Sequence, residues 1–589
     1  MQKSILVVFF LACDFLLIVD FSLNLSDDNM EYLSSPLKSE LDCLLIFVPK
    51  FKIFYKPIGE HMFTVLLPMG LMSIADFVHR RGYKVQILHL GLEKINNQKF
   101  SLEQYLAKVN PKVIGLSLHW HYQCYDTIEI VKEIKLFNSN IFIVLGGLTA
   151  SYFHEEILRE FNFIDGVIRG DAEEPFLKLL KEISAGNRDF SNVPNLTWRD
   201  DRIVKINEIT YVVQQEDLDS FNFTNFNLLK DYQLYIKMQD MRGGRWLFKG
   251  INKKILDKFG TPAYFPLLIH KGCFTNCSYC GGSRLSQKII SARDSISIRS
   301  VEKVVDSIKE AQRYGYKEIY TSYLPFNNHH DYFEKLFETI KKEKIKMNYH
   351  LECWALPSKE IIYMFKEICL EPSKSCIAIS PESGSEHIRR LNKGYYYSND
   401  ELIETLVTIT SLNIAAVLYF SIGLPFETIK DANDTIHFQR LLKKKFGDSI
   451  TISTVNPVIE PVSPMFIEPG KYGIVKTRFF FKDFVKASKD TNKSGFLTSE
   501  LGYFKRDFCE LKRFECLSEE EAFRKELQRI ICKSSCRLAD FILSNFPKAN
   551  SVFARKLVLL GSRPACNILY FFWRLSVFFE KLKCVTKVE

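Results

Sequence analysis

The 589-residue chain holds no run of about 20 uncharged apolar residues, the length a helix needs to cross a bilayer. Its nearest approach is at the start, where Asp14 and Asp20 interrupt and bound the apolar stretches Ile5–Ala12 and Phe15–Val19. Only Lys3 flanks them with positive charge, and no small-residue cleavage site follows, so a secretory signal is poorly supported. Met30 is an alternative start. Low-complexity tracts are missing too. The 15 cysteines are odd in number and thinly spread, which excludes a secreted disulfide framework and points to a reducing cytoplasm. A net charge of +10 is modest at this length and gives no argument for a nucleic-acid partner. What the chain does have is 47% apolar residues, enough length for about three domains, and 49 Phe with 26 Tyr. That aromatic load suits thick cores or an apolar substrate, and composition does not choose between them.

The most informative segment is Cys273-Phe-Thr-Asn-Cys277-Ser-Tyr-Cys280, followed by Gly281-Gly282. Three thiols in one short loop can converge on a single iron–sulfur cluster, whereas two closer pairs would read as zinc. Three ligands on a four-iron cluster leave one iron for another group. Phe265–His270 before it reads as a short buried strand, so the triplet lies where barrel enzymes carry their chemistry. A strand–helix alternation continues: helix 300–314 with Ser300 as N-cap, strand 318–323, helix 331–343, strand 347–354, helix 358–369 and strand 376–380. Ser398-Asn-Asp-Glu401 is a capping box opening a helix. Strand 415–422, a helix through 430–446 and a strand near 449–454 complete six repeats. Six units suggest a partial parallel barrel with its site on the loops after the strands.

An earlier alternation occupies residues 41–183. Strands are expected at 41–48, 84–90, 112–119, 141–147 and 163–170, with helices at 70–81, 124–137, 153–160 and 173–183. Nearly continuous apolar strands fit a parallel sheet covered on both faces, which binds its ligand beyond the strands' carboxyl ends. That edge presents Ser117-Leu-His-Trp-His121, Gly146-Gly147 and Arg169-Gly-Asp-Ala-Glu173. The paired glycines would let backbone approach a large ligand.

These edges, joined in this order to the triplet, resemble the cobalamin-dependent radical S-adenosylmethionine enzymes over roughly residues 41–470. Ser117-Leu118 is similar to that family's serine–leucine loop at the cobalamin tail, Gly146-Gly147 to its double glycine, and Arg169–Glu173, with Gly170, to its Arg-Gly-Glu-x-Glu element. Ser380-Pro-Glu-Ser-Gly384 resembles the strand-four element that meets the cofactor's ribose and amino-acid part. Tyr419–Thr428 resembles the strand-five Gly-Leu-Pro-x-Glu-Thr signature, and Tyr279 holds the aromatic position near adenine. The resemblance implies an α/β fold: a flavodoxin/Rossmann-like cobalamin-binding domain, a partial (β/α)6 TIM-type radical barrel and a mostly helical C-terminal extension. It assigns a 4Fe-4S cluster to Cys273, Cys277 and Cys280. S-adenosylmethionine falls to Tyr279, Glu382, Ser383, Gly423 and Glu427, and cobalamin to Ser117, Leu118, Gly146, Gly147 and Gly170. The implied activity is C-methylation through a 5′-deoxyadenosyl radical, with a flavodoxin or ferredoxin as electron donor.

Two departures accompany it. The Asp-x-His-x-x-Gly cobalt-ligand motif is missing, and Thr321-Ser-Tyr-Leu-Pro325 replaces the Gly-Gly-Glu that holds the cofactor's amino group. His119 and His121 could approach cobalt or serve as ordinary loop histidines. His329-His330 could touch substrate or be a solvated pair. Glu382 and Glu427 have an alternative as helix-start carboxylates stabilised by the dipole.

Expected boundaries are 1–40 for an N-terminal extension, 41–190 for the first domain, 191–260 for a linker with a hairpin at 195–207, 261–470 for the barrel and 471–589 for the tail. Cys509, Cys516, Cys532 and Cys536 could hold a second cluster or be free thiols. The apolar stretch Ile568–Phe579, in a basic setting, suits either peripheral membrane contact or a helix capping the barrel. Three functions stay open: a methyltransferase acting on a small-molecule or lipid-like substrate, a radical cyclase, oxidase or rearrangement enzyme, and a catalytically silent cobalamin-binding protein.

Overall fold

The computed structural model describes residues 40–49, 67–97, 99–236, 263–323, 330–455, 457, 460–474, 476 and 478–494. The N-terminal apolar stretches, Met30, His329, the four tail cysteines and Ile568–Phe579 lie outside the described residues. No helix among the described residues is long and apolar enough to cross a membrane.

Two parallel sheets carry the fold. The first has seven strands in the order β2-β1-β3-β4-β5-β6-β7. β1 (Cys43–Phe47), β2 (Val85–His89), β3 (Val113–Ser117), β4 (Phe142–Gly146) and β5 (Gly166–Ile168) run parallel. Leu44, Ile46, Ile114 and Ile143 enter one apolar layer and Leu45, Ile87 and Val113 the other, which is why these strands read as unbroken apolar runs. β6 (Leu196–Asp200) and β7 (Ile203–Ile206) form the expected hairpin, turning at Asp201 with φ +51°. They are not a free linker, however. β6 pairs antiparallel with β5, because Leu196, Thr197 and Trp198 are buried and need a sheet to cover them. The segment beyond is also core: Phe226 meets Phe265 and Tyr314 with ring centroids 6.0 and 4.6 Å apart, stitching the first domain to the barrel.

The second sheet has β8 (Tyr264–Pro266), β11 (Glu318–Tyr323), β12 (Asn348–Cys353), β13 (Cys376–Glu382), β14 (Ala415–Ser421) and β15 (Ile450–Val455) side by side in sequence order, all parallel. Three expectations need correction. The strand at 265–270 is broken, since His270–Lys271 (β9) leaves the barrel to pair antiparallel with Ser297–Ile298 (β10). Ser300 stands at a helix start without a side-chain cap; its amide instead donates to Asp219 Oδ1 at 2.7 Å. β13 runs two residues further than expected, through a register shift between Ile379 and Glu382. The capping box at Ser398 and Glu401 forms as read.

Beyond the barrel the chain returns to the first domain. In helix Phe481–Ser494, Phe481 and Phe484 pack on Phe153 at 5.7 and 5.3 Å, and the Ser488 hydroxyl donates to the Tyr122 carbonyl at 2.7 Å. In sequence this region reads only as part of a mostly helical tail; neither this helix nor its partner is marked by a motif.

Candidate active site

The cysteine loop leaves the barrel through Gly272, whose φ of +99° and position 2.5 Å from the Ser295 carbonyl, measured from an added Cβ, admit only glycine. Cys273, Cys277 and Cys280 are partly exposed, while Cys43, Cys124, Cys353 and Cys369 are buried. The Thr275 hydroxyl lies 3.3 Å from Cys273 Sγ and 3.6 Å from Cys277 Sγ. Backbone amides of Gly282 and Gly394 donate to Cys280 and Cys277 sulfurs at 3.4 and 3.2 Å. Such N–H···S contacts favour thiolate and tune a cluster held there. No group of three or more metal-ligating side chains among the described residues closes on a single ion. Burial pushes the Cys280 thiol well up, with the Glu460 carboxylate adding to the effect, so cluster binding must displace its proton.

Around this loop the strand ends form a second layer. Glu382, at φ +65° and 8% exposed, accepts from the Ser421 hydroxyl at 2.7 Å and lies against the Tyr279 hydroxyl. Burial, reinforced by that carboxylate, pushes the Tyr279 phenol well above its ordinary value. Glu427 folds back so that Oε2 accepts the amides of Gly423 and Leu424, closing the strand-five loop on itself. It orders the loop through specific hydrogen bonds rather than as a helix-start charge. Ser383 is fully buried, its hydroxyl taken up by Thr435 at 3.0 Å and by the Ser385 amide, and its carbonyl by Arg389. It therefore supports the loop, with its polar atoms turned inward.

Asn392 was missed in the sequence. It accepts from the Ser278 hydroxyl at 2.7 Å and donates to the Pro425 carbonyl at 2.9 Å, tying the cysteine loop to the strand-five loop. An Asn near a helix end carries no motif, and only the fold brings its partners together. Asn392→Ala leaves Ser278 and Pro425 unmatched in a buried place, an expected loss of about 1–3 kcal/mol. A lowered thermal midpoint, and iron released faster to a chelator than from the parent, are the measurements.

At the first sheet's edge, Ser117 and Gly146 are partly exposed and adjacent in register. An added Cβ on Gly146 would meet only the Ile168 carbonyl, at 3.8 Å. Leu118 is fully buried in the core, and its amide donates to the Gly146 carbonyl at 2.8 Å. Gly147 has φ +104°, and an added Cβ there would lie 2.9 Å from the Leu118–His119 backbone, so the loop-to-loop approach itself requires glycine. His119 is partly exposed and burial lowers its imidazole to about 4, leaving it neutral and able to ligate. His121 is buried against Phe484. Ser117, His119 and Gly146 thus fit a cobalamin bound over this edge, while Leu118 and Gly147 shape it from behind.

Gly170 is packed against the barrel side of the seam. At φ +67° it lies 2.6 Å, from an added Cβ, from the Ser291 side chain on helix Arg284–Ser291 beside the cysteine loop. Next to it Asp171 binds Lys271 at 3.0 Å and Arg293 at 2.6 Å, and Glu173 reaches the same lysine at 3.3 Å. The element after β5 is a latch onto the barrel.

Family models match in the same places: a B12 binding domain over residues 55–180 and the radical SAM superfamily over residues 267–438. An uncharacterized methyltransferase of Pyrococcus horikoshii is 23% identical over 70% of this chain and 81% of its own length. Among solved structures, the radical S-adenosylmethionine methyltransferase TsrM from Kitasatospora setae superposes with a TM-score of 0.53 at 15% identity, over 74% of this chain and 76% of that one. The cobalamin-dependent S-adenosylmethionine radical enzyme OxsB gives 0.53 at 13% identity, over 93% and 81%. With both matches in this order on this fold, the chain joins a B12 binding domain to a domain of the radical SAM superfamily, and its cofactors are a 4Fe-4S cluster, S-adenosylmethionine and cobalamin.

Proposed function

We propose that this enzyme transfers a methyl group to an unactivated carbon of a small-molecule substrate, taking its electrons from a small carrier such as a flavodoxin or ferredoxin. The observation that carries the reading is the latch: Asp171 and Glu173 hold the first sheet's loop edge on Lys271 and Arg293, beside the cysteine loop. The likeness to a protein named a methyltransferase over most of both chains supports it. When bound, the cluster with S-adenosylmethionine supplies hydrogen abstraction from carbon and cobalamin supplies a methyl carrier. The chain's own residues bind and orient. Cys273, Cys277 and Cys280 would hold the cluster. Tyr279, Glu382 and the Gly423 loop closed by Glu427 would hold S-adenosylmethionine, and Ser117, Gly146 and His119 would meet cobalamin. The buried latch keeps water from the seam between the two edges.

Anaerobic incubation of the reconstituted enzyme with reductant and a metabolite extract tests this. A product heavier by one methylene unit is the expected outcome. An unchanged mass or a loss of hydrogen would establish cyclisation, oxidation or rearrangement instead. No release of 5′-deoxyadenosine from cluster-loaded enzyme would leave a silent binding protein.

A further inference from the structure

The barrel's inner face carries a polar cluster that none of these roles uses. Strand alternation packs Tyr323 outward on Phe333, ring centroids 4.7 Å apart, and turns Glu318 and Tyr320 inward. His350 and Glu352 of β12, Cys376 of β13 and Tyr419 of β14 are likewise only partly buried, beside buried neighbours that face the helices. They touch one another. The Tyr320 hydroxyl donates to Glu352, the Tyr320 and His350 rings stand 4.7 Å apart, and His350 Nδ1 lies 3.0 Å from Cys376 Sγ. His350 Nε2 is buried and has no hydrogen-bond partner among the described residues. Burial lowers His350 to about 4, so it adds no positive charge, and it lifts Glu318 to about 7. Among the described residues, no inward strand position of the barrel is a lysine or arginine.

We propose that this face is the substrate subsite and that it selects a molecule whose inserted end carries a primary or secondary amine. The proposal rests on the reading of the barrel as a working radical enzyme. Glu352 supplies the counter-charge, and in the His350 tautomer whose Nδ1–H donates to the Cys376 sulfur, Nε2 is the atom that accepts a substrate N–H. A hydrocarbon end seated on this face would take the carboxylate and Nε2 out of water without pairing either.

The test compares two portions of one anaerobic metabolite extract, the first untreated and the second acetylated with acetic anhydride in aqueous bicarbonate, which turns amines into neutral amides. Reconstituted full-length enzyme should release 5′-deoxyadenosine above its substrate-free level with the first, and at least tenfold less with the second. Independently of turnover, equilibrium dialysis against the untreated extract should retain small molecules on the parent that Glu352→Gln retains at under a tenth, and Tyr320→Phe several-fold less. Equal stimulation by acetylated extract, or equal retention by the folded variants, overturns the amine subsite while the methyl-transfer reading stands. A parent that never releases 5′-deoxyadenosine overturns both.

Discussion

Replacing Cys273, Cys277 and Cys280 together with alanine should take reconstituted iron from about four atoms per chain to near zero and abolish S-adenosylmethionine cleavage, while the far-ultraviolet circular dichroism stays that of the parent. The fold should survive because the three thiols are partly exposed, and the loop is held by other groups: Ser278 on Asn392, Gly281 on Glu460, and Gly272 against Ser295. The iron should be lost because, among the described residues, no substitute set stands nearby: Cys43 on β1, Cys353 at the end of β12 and Cys369 are each buried singly in the apolar core. Iron analysis beside a visible absorption spectrum gives the result. Retention of a cluster by the triple variant would refute the ligand assignment.

The barrel was legible because its period is regular. Strands 318–323 and 415–421 and the Ser398 capping box appear where alternation and side-chain chemistry put them. The triplet was legible because three ligands lie within eight residues. What escaped was everything made by residues distant in sequence. The double glycine was read as room for a ligand, yet Gly147 is filled by the Leu118–His119 backbone, a fact that exists only once β3 and β4 are neighbours. Gly170, singled out only by the family resemblance, likewise meets Ser291, a residue 121 positions away. Ser383 and Glu427 carry polar side chains in cofactor-like motifs, and both were found holding their own loops. Motif identity points to loops; it does not say which side chain of each loop faces outward. The helices Leu90–Asn96 and Leu102–Val109 passed unread because they are short, and a loop at 97–101 interrupts any long period.

Asp171→Ala should be the most damaging single change outside the cysteine loop, costing about 3–5 kcal/mol, because it strands two cations rather than removing one contact. Arg293 is 2% exposed at its side chain and also donates to the Val213 carbonyl at 2.8 Å, so it cannot swing to water without breaking that bond. Burial by itself would raise the Asp171 carboxyl, but Lys271 and Arg293 prevail and hold it below the ordinary carboxylate range. A depressed folded value means that the stabilisation is complete above the unfolded pKa of about 3.9 and is lost as pH falls through the folded one. The stability gap between parent and variant should thus stay constant from neutral pH to about 4 and narrow below it, as read by urea melts across that range. In a double-mutant cycle, Asp171→Ala in an Arg293→Ala background should cost much less than in the parent, since its strongest partner is already gone. The catalytic signature separates a latch from mere scaffolding. At temperatures where the variant is folded, S-adenosylmethionine cleavage should persist, since the cysteine loop and the Gly423 loop are intact, while methylated product per 5′-deoxyadenosine falls at least tenfold. If both fall in proportion, Asp171 stabilises the fold without aligning the two cofactor edges.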